Sequence, residues 1–441
     1  MFSRPTIILL SCVTLAVVTG CGSIQKSTPN PTLIKPIQST WWQQFNDDAL
    51  NKDIAIALTA NPDLQAVATR IAQADAAISS ANASLLPRVN LGLGFLVGRK
   101  REPDLGPYTL APWRSGASLS WEMDLSGKLR AARKSAVANK EASVWDYHAA
   151  RLELTSRIAA VRFNIYRFNT EIASFHESLA GSKRILILRQ EQLGAGLVAE
   201  ALVNKQQIEH TRLERQKLDV IRLRDLSIVQ LNTLRGGSPT SNTLQDSFPS
   251  IRSIASKPIS QLLASHPSLL AEEARVRAAF QLERSARLNL LPSFALGAGI
   301  NGGQTSLVNR YRVWAAQVGP SLDIPIYDPA RRAALKTRQA QRMEASENYK
   351  SVVLKILAEV ESAHINLNSR SSQMAALKIE RLAITRSLNH SREEFQAGLI
   401  SQTNYLDTEH QWLESIRSEA ALRQAELNAS INLIKALGGG M

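Results

Sequence analysis

Cysteine, aromatic residues and long apolar runs are all scarce in this chain. Its two cysteines are Cys12 and Cys21, so a chain trimmed ahead of Cys21 has no thiol pair for a disulfide and no cysteine-based metal site. Aromatics are 5% of 441 residues, and long tracts consist of Ala, Leu, Glu, Gln, Arg and Lys. That composition favours long helices over compact mixed cores. The N-terminal apolar run, Ile7 to Val18, falls short of the roughly 20 residues that a membrane-spanning helix needs. His148, His176, His210, His266, His364, His390 and His410 stand singly, with neither HExxH nor zinc-ligand spacing. Beyond the initiator only Met123, Met343, Met374 and Met441 remain, which provides no methionine track for soft cations. Gly92, Gly94 and Gly98 lie inside an alternating segment rather than in a strand-to-helix turn, so they form no dinucleotide fingerprint. No catalytic, metal or cofactor constellation emerges, and the expectation is a chain that is not an enzyme.

What is present begins with an export signal. Arg4 supplies a positive n-region, Ile7 to Val18 an apolar h-region, and Val18-Thr19-Gly20-Cys21 small residues at a cleavage site. These four residues resemble a bacterial lipobox, which implies removal of residues 1–20, a covalent lipid on Cys21 and, with Gly22 rather than aspartate following, delivery to the outer membrane. The Ser-, Thr- and Pro-rich stretch that follows reads as an extended tether, residues 21–46. The formal net charge is +14, of which Arg4 contributes one, so 14 − 1 = +13 stays with the trimmed chain. In an exported protein such a balance suits lipid headgroups, anionic cargo or solvated helix faces, and leaves little access to nucleic acid.

The body of the chain is written twice. NPDLQAVATRIAQADAAISSANASLLPRVNLGLGF from Asn61 is echoed by HPSLLAEEARVRAAFQLERSARLNLLPSFALGAGI from His266, AGLVAEALV at Ala195 by AGLISQTNY at Ala397, and Gly236-Gly237 by Gly438-Gly439. The period is far longer than the 20 to 50 residues of solenoid units, so one structural half is made twice, at 47–237 and 261–441, with a linker at 238–260. Within the first half, Leu64, Val67, Ile71 and Ile78 keep helical spacing until Pro87 stops it. Alternation then predicts strands at about 88–98 and 115–124, separated by a polar loop from Arg99 to Pro112. The second half predicts strands at about 293–303 and 312–326. Arms of roughly ten residues suit tilted transmembrane strands, with Trp113, Trp121 and Trp314 as interfacial anchors.

From Gly127 to about Gln192 and from Pro329 to about Gln396 there is no internal proline, which predicts helices on the order of 100 Å long. Gly196 and Gly398 mark hairpin tips, and Leu197–Leu234 and Leu399–Leu437 return. Leu406, Leu413, Ala420, Leu427 and Ile434 recur every seventh residue as a supercoil seam, compatible with a hollow or a solid bundle. Four strands cannot close a membrane sheet, so subunits would pool them, and three copies of four would make twelve.

Together the tandem layout, the NPDL and HPSL helix starts, the LLP-strand junctions, the AGL tips and the terminal ALGGG resemble the TolC-like outer-membrane efflux protein family, in the lipoprotein branch that includes OprM and NodT. The resemblance implies a mainly α fold with membrane β: a homotrimer whose 12-stranded β-barrel continues into a periplasmic α-helical barrel, docked to a periplasmic adaptor and an inner-membrane pump of the RND type. Its function would be passive conduction of small molecules to the exterior. Protein secretion through the same fold and a solid, lipid-anchored coiled-coil scaffold are the alternatives. The resemblance also implies adaptor contacts at the tips, Gly196, Leu197, Val198, Gly398, Leu399 and Ile400, and an acidic periplasmic gate. Asp407 in NYLDTEH matches one gate position, and Asn404 stands where some members have a second aspartate. With the repeat offset at 398 − 196 = 202, Lys205 aligns with Asp407 and Leu202 with Asn404, so the two halves differ at the gate.

Overall fold

The structure, a computed structural model, describes residues 40–95, 98–102, 106–110, 113–238, 248, 265–304 and 312–439. The signal segment, Cys21, the tether through residue 39 and the linker apart from residues 238 and 248 lie outside the described residues.

Each repeat runs short helix, strand hairpin, long helix, return helix. In the first, α1 (Asp48–Ala60) and α2 (Pro62–Ala83) lead into β1 (Arg88–Phe95), β2 (Gly98–Glu102), β3 (Gly106–Leu110) and β4 (Trp113–Met123), then α3 (Lys128–Gly194) and α4 (Glu200–Leu234). The second has α5 (Pro267–Leu288), β5 (Ser293–Gln304), β6 (Arg312–Asp323), α6 (Pro329–Gln396) and α7 (Gln402–Ala436). Helix starts follow local chemistry. Asp47, Asn61, Asp328 and Ser401 cap their helices through side-chain oxygens, and proline with its fixed φ opens α2, α5 and α6. Among the described residues no helix is long and apolar enough to cross a membrane.

The two long helices, 67 and 68 residues, run about 100 Å each and organise everything else. Near the strands the packed order is α2, α3, α5, α6; toward the tips it is α4, α3, α7, α6. The heptad seam of α7 is buried along its length, from Leu406 at 3% exposure to Ile434 at 1%. Midway along α3 sits the largest apolar cluster, where Ile158, Phe163 and Tyr166 meet Leu231, Leu427 and Ile431.

Three sequence expectations are corrected. The tether does not extend to residue 46, because Trp41–Phe45 forms a 3-10 helix whose Trp41, Trp42 and Phe45 are buried in that cluster. Phe45 packs edge-on against Phe163 at 5.2 Å, so large aromatic area outweighs the polar character of the preceding stretch. Second, the polar loop from Arg99 to Pro112 contains a paired hairpin, β2 with β3. Backbone N–H and C=O groups make the ladder, so polar side chains do not exclude one. Third, β6 ends at Asp323 rather than residue 326.

The C-terminal ends of α3, α4, α6 and α7 share one geometry. Gly196, Gly236, Gly398 and Gly438 have φ of +73°, +72°, +72° and +76°. Each is flanked by paired backbone bonds, such as Leu197 N–H to Gln192 O (2.8 Å) and Gly196 N–H to Leu193 O (2.9 Å), the Schellman pattern. Their surroundings differ. A Cβ at Gly196 meets open space, whereas at Gly236 it collides with the Ala60 carbonyl. Gly196→Ala is therefore expected to cost about 1–2 kcal/mol of backbone strain, and Gly236→Ala clearly more because the backbone of Ala60 must also shift. Melting of the helical circular dichroism signal checks this; equal midpoints would refute the packing argument.

Candidate functional site

The sheet is the first part of the site. Its strand order is β1-β4-β5-β6, all antiparallel, so β4 and β5 join the two repeats. Register places Val89, Leu91, Leu93 and Phe95 opposite Leu119, Ala117, Ser115 and Trp113. The same face continues through Ile300, Ala298, Leu296 and Phe294 to Ala316, Val318, Pro320 and Leu322. Period-two alternation leaves Asn90, Gly92, Ser118, Ser120, Gly297, Gly299, Asn301 and Gln317 on the other face. Four strands thus present one continuous apolar face and one small, polar face. The apolar face is bare within the chain: Val89 is 72% exposed, Leu93 73% and Val318 78%. Such a surface belongs against lipid hydrocarbon.

Tryptophans bracket that face. Trp121 sits at the helix end, half-buried, donating Nε1–H to the Leu85 carbonyl at 2.9 Å. Trp314 lies on the same face at the far end and is 74% exposed. β4, at 11 residues, has the length that a tilted transmembrane strand requires. On the polar face, a Cβ at Gly116 would collide with the Asn301 side chain, so glycine makes room for the amide across the repeat junction.

Below the sheet, charged pairs fix strands to helices. Asp124 accepts the Leu129 and Arg130 amides at 2.9 Å each and pairs Arg130 Nε at 3.0 Å. In the second repeat Arg331 bridges Asp323 (2.6 Å) and Asp328 (3.1 Å).

Halfway down, a buried polar network ties the N-terminal segment to α3. Arg162 Nη1 lies 2.5 Å from Asp53 Oδ2, Arg162 Nε donates to the Tyr166 hydroxyl at 2.8 Å, and that hydroxyl donates to Asp47 Oδ2 at 2.5 Å. Arg235 reaches Asp53 at 3.4 Å. Burial pushes the Asp53 carboxyl above the usual carboxylate range against the pull of Arg162 and Arg235, and burial likewise raises the Tyr166 hydroxyl. No sequence pattern announced this network.

The same belt holds two equivalent helix caps with different chemistry. Asn61 Oδ1 accepts the Leu64 amide (2.9 Å) while its Nδ2 donates to the Leu234 carbonyl (2.8 Å). In the second repeat His266 Nδ1 accepts the Ser268 amide (3.2 Å), and the ring also bonds to the Lys435 backbone. Burial pushes the His266 pKa down to about 4. By sequence this histidine is one more singly placed residue; its position just before Pro267, where Asn61 precedes Pro62, is the available signal of a cap.

At the tips, Gly196 and Gly398 make matching turns that expose Leu197 (74%) and Leu399 (75%), with Val198 and Ile400 half-buried. Asn404 and Asp407 lie three residues apart on the exposed side of the first turns of α7, where Ser401 Oγ accepts the Asn404 amide at 3.2 Å. Asp407 borders a crevice of about 50 Å³ between α3, α4 and α7 that also takes in Glu177, Glu209, Glu409 and His410. Ring stacking of Phe395 on Tyr405, 5.5 Å between centroids, staples α6 to α7 beside it.

A sheet apolar on one face, polar on the other, and continued end-on by helices about 100 Å long is the architecture of an outer-membrane channel protein. Comparison with known proteins agrees. The outer membrane efflux protein family matches residues 54–237 and 258–439, one match per repeat, and the chain belongs to that family. It is 30% identical over 427 residues to the pyoverdine export outer membrane protein OpmQ of Pseudomonas putida, covering 91% of this chain and 88% of the relative. It is 24% identical to the probable outer membrane lipoprotein SilC of Salmonella typhimurium over 98% of both chains. Among solved structures, the outer-membrane channel OprN superposes with a TM-score of 0.80 at 22% identity, covering 94% of this chain and 95% of that one. The protein is thus an outer-membrane efflux channel component.

Proposed function

We propose that three copies close one conduit, twelve strands in the membrane above a helical barrel, which carries small molecules outward from an RND-type inner-membrane pump through a periplasmic adaptor. The observation that carries this reading is the strand order: among the described residues β1 and β6 stand at its two ends, and a membrane sheet tolerates no unpaired edge. β1 of one copy meeting β6 of the next is a head-to-tail contact that closes as a ring. Two copies would give a narrow eight-stranded barrel filled by side chains, while three leave room for water. The outer helices support the same contact: Ile208 and Leu218 on α4 are 69% and 60% exposed, Ile365 and Ile379 on α6 61% and 73%. These surfaces would cover one another between subunits.

In this reading Cys21 carries the lipid anchor and no other cofactor is needed. Leu197, Val198, Leu399 and Ile400 meet the adaptor, and Asp407 with Asn404 forms the periplasmic constriction, one acid from each chain. Purified protein in planar bilayers is expected to give discrete conductance steps, with native mass spectrometry reporting three chains. No current, or a different copy number, would refute the conduit. Asp407→Ala is expected to reduce the response of the current to added divalent cations about threefold or more, because a ring of carboxylates concentrates cations. An unchanged response would remove Asp407 from the gate.

A further inference from the structure

Where the N-terminal segment packs on α3, the structure holds a cavity of about 30 Å³. Trp41 and Trp42 of the 3-10 helix line it together with His148, Arg151 and Thr155 of α3. Spaced i, i+3 and i+7, the three α3 residues share one helix face. Pro267 and Gly438 bring the second repeat to the same space. Parts of the chain far apart in sequence therefore meet around one small volume.

The chemistry of that volume is one-sided. Among the described residues that line it, none is acidic. Trp41 is 3% exposed, and its Nε1–H is buried with no acceptor among the described residues. Arg151 carries its positive charge over the Trp42 ring, 5.9 Å from the centroid. His148 is buried, and that burial together with the Arg151 charge holds it below the ordinary 6.5, so the ring is neutral and offers one N–H. A bound water would need acceptors for its own two hydrogens, and the lining side chains offer at most the Thr155 oxygen and one imidazole nitrogen. An anion asks only for donors. The volume exceeds the roughly 10–15 Å³ that one water-sized occupant takes.

The second repeat supplies a comparison. With the tip glycines setting the offset at 398 − 196 = 202, His148, Arg151 and Thr155 correspond to Lys350, Val353 and Leu357. The second long helix forms without this polar set, so helix formation does not account for it. We propose that the cavity is a halide site, in which one chloride accepts from Trp41 Nε1–H, His148 and the Arg151 guanidinium and locks the N-terminal segment onto α3. A chloride there gives the buried indole N–H its acceptor and adds an opposite charge beside a guanidinium partly withdrawn from water.

The test uses the full-length protein in detergent, with chloride exchanged for gluconate, which is too large for the cavity, at fixed ionic strength. Constant ionic strength keeps screening of the basic surface the same throughout. The thermal midpoint of the wild type is expected to rise with chloride and saturate. Trp41→Phe keeps a ring and drops the donor, and should raise the half-saturating chloride concentration about tenfold, as loss of one hydrogen bond to a charged partner implies. Arg151→Gln should abolish the saturable response; if that variant does not fold, Trp41→Phe decides alone, since the reading is chloride dependence and not absolute stability. Crystals grown in bromide should show an anomalous peak in the cavity of the wild type and none in Arg151→Gln. A midpoint that does not saturate, an equal chloride response in Trp41→Phe, or a cavity holding water without a bromide peak would overturn the halide site. A bromide peak without any chloride dependence of the midpoint would mean an adventitious ion only, and would overturn it equally.

Discussion

Arg162→Met is expected to destabilise the protein by about 3–5 kcal/mol, the usual cost of stranding one partner of a buried ion pair. Arg162 and Asp53 are 3% and 4% exposed, and Arg162 is the closest cation to the Asp53 carboxylate. Arg235, 3.4 Å from Asp53, compensates only in part. Losing Arg162 also removes the Nε donor to Tyr166, which orients the hydroxyl toward Asp47. The pH dependence separates charge from packing. Asp53 already has a raised pKa, and removing its main counter-charge raises it further. A folded-state pKa above the unfolded value means that the folded form binds the proton more tightly, so the variant regains stability as pH falls through that pKa. D53N/R162M should recover most of the loss at neutral pH. Thermal midpoints of the helical circular dichroism signal decide; a loss equal at pH 7 and pH 5 would mean that packing, not charge, was removed.

His266→Asn makes the second repeat copy the first and should flatten the acid side of the stability profile. The wild-type ring gives up its Nδ1 acceptor on protonation and becomes a buried cation, which is why its pKa sits at about 4 against an ordinary 6.5. A depressed folded-state value contributes stability that is complete above about pH 6.5 and is lost as pH falls through about 4. The full change corresponds to roughly 3 kcal/mol, from about 1.36 kcal/mol per pH unit. The substituted asparagine would keep the cap, as Asn61 does, without titrating. The measured quantity is the difference between wild type and variant from pH 7 to pH 4, which cancels carboxylates common to both. Parallel curves would show that His266 carries no proton linkage.

What was legible in the sequence was periodic. The strand pairs follow from alternation in 88–95 and 293–304, the α7 seam from a seven-residue rhythm, and the tips from glycines that must adopt positive φ. Each is a local pattern repeated in the second copy, so two readings support one another. The buried network was not legible. Arg162 meets Asp53 across 109 positions and Tyr166 meets Asp47 across 119, and no spacing rule links residues brought together only by the packing of α1 on α3. Trp41, Trp42 and Phe45 were obscured by their position at the end of a Ser-, Thr- and Pro-rich stretch. For the proposed gate, the sequence supplied the candidate and the structure its neighbourhood: Asp407 is solvent-facing in a crevice lined also by Glu177, Glu209 and Glu409.

The equal staves have a consequence for counting partners. α4 and α7 are both 35 residues long, and the long helices differ by one residue, so the two turns of each chain end level with one another. In the proposed trimer a partner that recognises only the turn and its exposed leucine would find six seats. One that also reads the next helical turn would meet Lys205 at three of them and Asp407 at the other three. Stoichiometry of the assembled pump, six or three adaptors per channel, therefore reports how far past the glycine the adaptor reads.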